Sequence, residues 1–304
     1  MLFDDPEWLR ASEWLAREAA QPDVAIIGVP TSVGSISASE AWRTPGRLRE
    51  VIAGFSPYDG ETGTDLTSLA VADLGDWPVA DTALDELVGT IAGYAAELPR
   101  GPRYAFIGGD NAITRPLVTG LAGARLADVG VLTFDAHHDV RGLDAGPRNG
   151  TPIRGLLADG LPGGRVHQIG IHSFANSAPY RQWCDDAGIG VTTMAEVDAL
   201  GIEAVVSSAL GQLAATCEWI HVDFDIDVLD RAYAPGCPGA RPGGMTPRQL
   251  ATAARLCGRH PRVRSADVVE VDPSADRDDL TVMALASTLL AFLSGTAQLK
   301  ESEG

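Results

Sequence analysis

The stretch VLTFDAHHDVR, residues 131–141, ends a hydrophobic run in Asp135, His137 and Asp139, each two residues from the next. On an extended chain, residues two apart point to the same side. The spacing therefore predicts that all three converge at the end of a strand. Crowding polar and charged groups there costs free energy unless something compensates them, and a cation does so. A second cluster, DFDIDVLD (223–230), places Asp225, Asp227 and Asp230 after another apolar run. Asp135, His137, Asp139, Asp225 and Asp227 offer carboxylates and one imidazole, a donor set that favours a hard or borderline divalent ion, Mn²⁺ before Zn²⁺. Their negative charge exceeds what one such ion balances, so two are expected. Paired metals roughly 3.5–4 Å apart hold a bridging water, lower its pKa and stabilise a developing oxyanion. The pattern predicts a dinuclear hydrolase centre. A single Asp-x-His-x-Asp reads equally well as a polar loop with a helix cap; the second Asp-x-Asp after a separate strand tips the balance.

The elements that must hold these groups are legible as eight short runs: 23–29, 69–75, 103–109, 129–134, 165–171, 188–194, 217–224 and 263–271. Several are nearly continuous apolar stretches, as expected of strands covered on both faces. Helical patterns lie between them. Residues 81–98 are apolar at helical spacing. Residues 245–259 open with Thr246, Pro247 and Gln249, a capping-box arrangement. Repeated strand–helix alternation predicts a parallel sheet in an α/β fold, with ligands at the carboxyl ends of the strands. The polar clusters sit there. Asp110 and Asn111 follow one strand, the Asp-x-His-x-Asp and Asp-x-Asp groups follow two more, and Glu270 lies near the end of a fourth.

The 304 residues suit one α/β domain, 1–304, with no repeat or linker to divide it. A net charge of −18, from 23 basic and 41 acidic residues, argues against a nucleic-acid partner. The N-terminal MLFDDPEWLRASEWLAREAA carries acids and lacks a long apolar core, so no signal peptide is expected. No run reads as long enough to span a bilayer, and a cytoplasmic location is expected. Cys184, Cys217, Cys237 and Cys257 form no Cys-x-x-Cys pair, so reduced thiols are the default.

GGDN (108–111), DAHHD (135–139), DFDIDVLD (223–230) and EVDP (270–273) together resemble the ordered motifs of the ureohydrolase superfamily, which includes arginases, agmatinases and formimidoylglutamases. The resemblance covers roughly residues 24–294. It implies a three-layer αβα fold with an eight-stranded, mainly parallel sheet, two Mn²⁺ ions and attack by a metal-bridging hydroxide on an amidine or guanidine carbon. It also implies a homo-oligomer. By position, Asp135, His137, Asp139, Asp225 and Asp227 resemble metal ligands, and Glu270 the acid that holds the substrate's cationic nitrogens; Asp139 and Glu270 are the catalytic candidates. Two positions depart from the commoner pattern. Asn111 stands where a His ligand is usual, and Asn149 where a proton-shuttling His is usual. An amide offers a neutral oxygen but no titrating proton. The expected partition is Asp135, Asp139 and Asp225 with Asn111 at one, weaker site, and His137, Asp225 and Asp227 with Asp135 shared at the other.

GPRNGTPIRGLL (146–157), IGIHSFANS (169–177) and YAPGCPGARPGGMT (233–246) resemble the formimidoylglutamases of histidine degradation. The implied reaction is N-formimidoyl-L-glutamate plus water giving L-glutamate and formamide. A substrate with two carboxylates calls for cationic donors. Arg141, Arg148 and Arg154 are the candidates, Arg141 first, with Asn149 and His172 as further pocket residues. His138 reads as packing and Asp230 as a support for its loop. The alternatives are an agmatinase, guanidinobutyrase or arginase, or a non-catalytic relative that keeps the fold.

Overall fold

The computed structural model describes residues 5–303; Met1–Asp4 of the N-terminal segment and Gly304 lie outside them. In chain order the strands are β1 (Val24–Val29), β2 (Tyr58–Asp59), β3 (Thr64–Asp65), β4 (Val71–Asp76), β5 (Arg103–Gly108), β6 (Val129–Phe134), β7 (Val166–Ile171), β8 (Gly190–Thr193), β9 (Trp219–Asp225) and β10 (Val263–Val269). Eight form one sheet of order β4-β1-β5-β10-β9-β6-β7-β8; β2 and β3 form a separate antiparallel pair that the sequence reading did not anticipate. Every pairing in the large sheet is parallel.

The continuous apolar strands work because both faces are covered. Along β1, Val24 and Ile26 enter one core while Ala25, Ile27 and Val29 enter another. Along β6, Leu132 and Phe134 face the first core, and Val129 and Val131 the opposite side. The first face is packed by helices Ile202–Thr216, Pro247–Arg259 and Leu280–Glu303, through Val206, Leu250 and Leu285. The second is packed by helices Leu87–Ala96 and Thr114–Ala122, and further along by Pro152–Ala158 and Ala178–Ala187. The result is three layers.

Two helical expectations are adjusted. The 81–98 pattern yields a helix only over Leu87–Ala96. Leu87, Ile91 and Ala95 supply its buried stripe, whereas Asp81, Asp85 and Glu86 are exposed and the segment before Leu87 has no apolar face to dock. The second helix starts at Pro247: Thr246 Oγ1 accepts from Gln249 N–H at 3.2 Å, and Gln249 Oε1 accepts from Thr246 N–H at 2.9 Å. The expectation that no segment is long and apolar enough to cross a bilayer fails for Leu280–Glu303, which qualifies by length and composition. Its apolarity has another use, since 83% of that window is buried against the sheet and its neighbours.

The sheet order decides what can meet. The chain places β5 beside β1, then leaves a gap before β6, and β9 and β10 later fill that gap. The four strands that deliver Asn111, Glu270, the Asp-x-Asp pair and the Asp-x-His-x-Asp group are thus consecutive, β5-β10-β9-β6. The crossover reversal in the middle of such a sheet is where a crevice opens.

The helix pair on the first face is packed to backbone contact. A Cβ on Gly258 would lie 2.0 Å from Phe292 O, and one on Gly295 2.0 Å from Arg255 O. Gly295→Ala should therefore destabilise the protein by about 1–3 kcal/mol through overpacking. Gly211→Ala, in helix Ile202–Thr216 with open space around it, should stabilise by about 0.5–1 kcal/mol. Chemical denaturation of the two variants checks the opposite signs.

Candidate metal centre

Asp225 is the last residue of β9, Asp135 follows β6 directly, and Glu270 follows β10. The triplet Asp135–Asp139 is not extended, so its convergence does not arise from strand alternation. The chain bends there, and Asp139 takes a left-handed backbone, φ 51°. His137 N–H donates back to Asp135 Oδ1 at 2.6 Å, a local turn that competes with continued strand. Glu270 is also left-handed, φ 66°. Such conformations cost roughly 1–3 kcal/mol in a non-glycine residue and persist only where the surroundings enforce them.

The ligand atoms fall into two groups, each within 4.8 Å: Asp135, His137 and Asp227; and Asp135, Asp139 and Asp225. Asp135 is shared, as anticipated, but Asp225 belongs to the second group only. His137 Nδ1 lies 2.6 Å from Asp227 Oδ2 and 3.5 Å from Asp135 Oδ1. Backbone donors fix the acids. Ala136 N–H reaches Asp227 Oδ1 at 2.9 Å, and Asp227 N–H reaches Asp225 Oδ1 at 2.8 Å. Asn111 directs its amide nitrogen to Asp139 Oδ2 at 2.8 Å and Asp225 Oδ2 at 3.3 Å, while its Oδ1 accepts from the Thr114 hydroxyl at 2.6 Å.

Glu270 Oε1 accepts from Asn111 N–H at 2.8 Å and Asn149 Nδ2 at 2.9 Å. Asn149 Oδ1 in turn accepts from Ile36 N–H at 3.1 Å, tying the loop after β1 to the site. The residue that departs from the shuttle-His pattern is therefore a clamp on Glu270.

Electrostatics set the state of the centre. Burial pushes Asp135 up to about 7, helped by the charge of Asp227. Burial also raises Asp139 and Asp225 well above the carboxylate range, with Asp135 acting next on the former and Asp227 on the latter. Glu270 rises to about 8 through burial and then the charge of Asp110, against the pull of its two amide donors. Asp227 goes the other way, to about 2, because the His137 charge and hydrogen bonds overcome its burial; the charge of Asp227 carries His137 up to about 12. One imidazolium cannot balance these carboxylates. The donor set, its burial and the shared Asp135 fit two divalent cations.

The centre floors a cleft of about 390 Å³. Arg141 lines its wall and is exposed; its backbone N–H donates to Gly150 O at 2.9 Å, while its guanidinium has no hydrogen-bond or ion-pair partner among the described residues. Arg148 instead donates to Ala145 O and Val33 O, and Arg154 to Val140 O while lying over the Trp183 ring at 4.3 Å. Neither lines the cleft. His172 is buried behind the wall, its Nε2 3.1 Å from Val228 O. His138 packs with Nδ1 2.7 Å from Gln168 Oε1. Asp230 accepts from Ala232 and Gly243 N–H, which fixes the 231–245 loop. The four cysteines are buried and unbridged. Sequence reasoning did not single out Asn176, which receives His138 N–H and donates to Ala136 O, or Arg241 on the cleft wall, although both lie inside segments that carry the family resemblance.

A buried Asp/His centre at the carboxyl edge of a parallel sheet defines a metal-site α/β protein of the hydrolase type. A profile of the Arginase family matches residues 22–294, and the chain belongs to that family. It is 39% identical to the formimidoylglutamase of Halalkalibacterium halodurans over 89% of this chain and 86% of that protein. It is 34% identical to the Bacillus subtilis formimidoylglutamase over 96% and 94%. The crystal structure of the B. subtilis protein superposes with a TM-score of 0.89 at 33% identity, covering 98% of this chain and 94% of that one. The Trypanosoma cruzi formiminoglutamase, solved with Mn²⁺, superposes with a TM-score of 0.87 at 25% identity over 95% and 99%.

Two outcomes follow from the carboxylates. A carboxyl whose folded pKa is raised binds more protons folded than unfolded, so the stability it contributes is present at low pH and lost as pH rises toward the folded value. For Asp135 and Glu270 that window runs from about 4, the ordinary value, to about 7 and about 8. Metal-free protein should lose stability across it, and divalent cation, which replaces those protons, should restore it. The Tm difference between Mn²⁺-loaded and chelator-treated protein should widen from pH 6 to pH 8; a narrowing gap contradicts the charge assignment. Calorimetric titration of metal into apoprotein should also show two unequal steps, with Asn111→His tightening the weaker.

Proposed function

We propose that the chain is a divalent-metal-dependent hydrolase that converts N-formimidoyl-L-glutamate and water to L-glutamate and formamide. Its strongest support is the near full-length similarity to formimidoylglutamases, in company with a complete set of acids around the centre. Two Mn²⁺ ions are the proposed occupants, held by Asp135, Asp139 and Asp225 and by Asp135, His137 and Asp227. Asn111 joins the first set if its amide turns over; Thr114 Oγ1 then accepts from Nδ2 and turns its single proton to Asp267 Oδ2, 2.9 Å away. When bound, the ions lower the pKa of water to yield a nucleophile at neutral pH and neutralise the carboxylates.

The protein's own groups do the rest. Glu270 uses Oε1 for its two amide donors, which leaves Oε2 to accept from the amidinium N–H and orient the carbon over the centre. Asn149 keeps that carboxylate aimed and takes no part in proton transfer. Asp139 receives the proton of the attacking water and returns it to the departing glutamate nitrogen, so the amine leaves neutral. The formimidoyl carbon bears hydrogen rather than a third nitrogen, and with less resonance stabilisation it is easier to attack than a guanidinium carbon. That removes the need for a shuttle His at position 149. Arg141 pairs with a substrate carboxylate. A small-molecule substrate, a homo-oligomeric cytoplasmic enzyme, and no nucleic-acid or membrane partner belong to the same reading.

Incubation with formimidoylglutamate, agmatine, arginine and guanidinobutyrate should give formamide from the first in preference to urea from the others; urea as the main product replaces this substrate assignment with a guanidine one. Glu270→Gln should retain metal and lose about one to two decades of kcat/KM, the worth of one charge-assisted hydrogen bond.

A further inference from the structure

We propose that Arg241 is a substrate-binding residue that pairs with one carboxylate of a dianionic substrate while Arg141 takes the other. The inference rests on the proposed diacid substrate and extends it to the means of selection. The charged side chains lining the cleft divide by depth. Asp139, Asp225, Asp227 and Glu270 are buried and form its floor with half-buried His137, whereas Arg141 and Arg241 are exposed and form its wall. Elsewhere in this acidic chain several arginines are neutralised by carboxylates, as in Arg47–Asp279, Arg49–Asp73, Arg115–Asp159 and Arg255–Asp59, and others, such as Arg148 and Arg154, are taken up by carbonyls outside the cleft. Arg141 and Arg241 have no such partner among the described residues. Two guanidinium groups without carboxylate partners in one cleft leave room for two external anionic groups.

The loop holds Arg241 in place. Asp230 and Arg241 form a backbone bridge, Arg231 N–H donates to Arg241 O at 3.1 Å, and Gly243 N–H donates to Asp230 Oδ2 at 2.6 Å. The guanidinium is anchored through Nη1 alone, to the carbonyls of Pro238, Gly239 and Ala240 at 3.0–3.3 Å. Nε and Nη2 have no partner among the described residues, and these are the two donors that grip a carboxylate side by side. The floor is close. A Cβ on Gly239 would sit 2.3 Å from Asp227 Oδ2, and Arg241 follows two residues later, no more than about 7 Å of chain. Arg141 stands in the same relation to Asp139. The two arginines therefore rise from the loops after adjacent strands, β9 and β6, each close in sequence to an acid of the cleft floor. A monocarboxylate guanidino acid would engage only one of them.

Arg241→Gln and Arg241→Lys, compared with wild type as the full Mn²⁺-loaded chain, test this against a role as a mere cap on three carbonyls. The substrates are N-formimidoyl-L-glutamate, N-formimidoylglycine, which keeps only the near carboxylate, and 4-(formimidoylamino)butanoate, which keeps only the far one. Arg241→Gln should lower kcat/KM on the diacid about tenfold to a hundredfold, mainly through KM, as loss of one charge-assisted pair does. It should penalise one monoacid equally and leave the other within twofold. Arg241→Lys should recover part of the loss, and metal content should not change. Unchanged kinetics, or equal penalties on all three substrates with lost metal, would mean that Arg241 only shapes its loop. Wild type that releases no formamide from formimidoylglutamate would overturn the functional reading as well, an outcome distinct from an insensitive Arg241 in an active enzyme.

Discussion

Like charges packed out of water are the constraint to which the rest of this structure answers. Two unit charges 4 Å apart repel by about 4 kcal/mol at an effective dielectric near 20. Asp135, Asp139, Asp225, Asp227 and Glu270 are all buried at one end of the sheet. Backbone and amide donors relieve part of this: Ala136 and Asp227 N–H, Asn111 N–H and the Asn149 amide each point at a carboxylate oxygen. They lower the charge density without removing it, and burial first, then the neighbouring carboxylates, holds Asp139 and Asp225 well above the usual carboxylate range. A site of this kind is unfavourable to folding by itself and is retained because a doubly charged ion turns the penalty into affinity.

Holding that arrangement requires a rigid frame, and the three-layer packing provides one. The four delivering strands are neighbours in the middle of the sheet, where both faces are covered and neither edge is near. Phe134 and Phe224 stack at 5.2 Å one residue before Asp135 and Asp225 respectively, so the last aromatic side chains of β6 and β9 fix the spacing of the two acids that follow them. The left-handed turns at Asp139 and Glu270 then aim side chains that regular strand geometry would send elsewhere. The strain at those two positions is small beside the packing energy of the surrounding strands, and it falls on the two residues assigned to proton transfer and substrate orientation.

The strands were readable from sequence because a parallel strand covered on both faces is largely apolar; the eight expected runs agree with the observed ones to within two residues at every end. The floor of the site was readable because acids at strand ends have few other reasons to be there. What was not readable depended on direction and on distant pairing. Asp135, His137 and Asp139 were expected to meet by strand alternation, but they meet through a bend and a positive φ, which a two-residue spacing does not encode. Arg148 and Arg154 follow Arg141 by seven and thirteen residues along the chain, yet backbone carbonyls and the Trp183 ring take their guanidinium groups. Arg241 was passed over inside a Gly/Pro-rich loop because its position follows from a bridge to Asp230, eleven residues earlier, and not from any local pattern.

This separates the two tasks of the cleft physically. The floor consists of side chains at strand ends, tied to the core by backbone hydrogen bonds, and its chemistry changes little without loss of the fold. The wall consists of loops: the Ile36 loop joined through Asn149, the segment after Asp139, and the 231–245 loop pinned by Asp230. Loop residues of that kind exchange at little cost to packing, since Arg141 and Arg241 bury no core surface. An arginine placed there adds positive potential against an anionic group while the cationic amidinium end is drawn to Glu270. On the proposed reading, a substrate carrying opposite charges at its two ends would thus be oriented before any contact with the reacting carbon, and the preference for one acid over another would be set by residues whose loss the fold would tolerate.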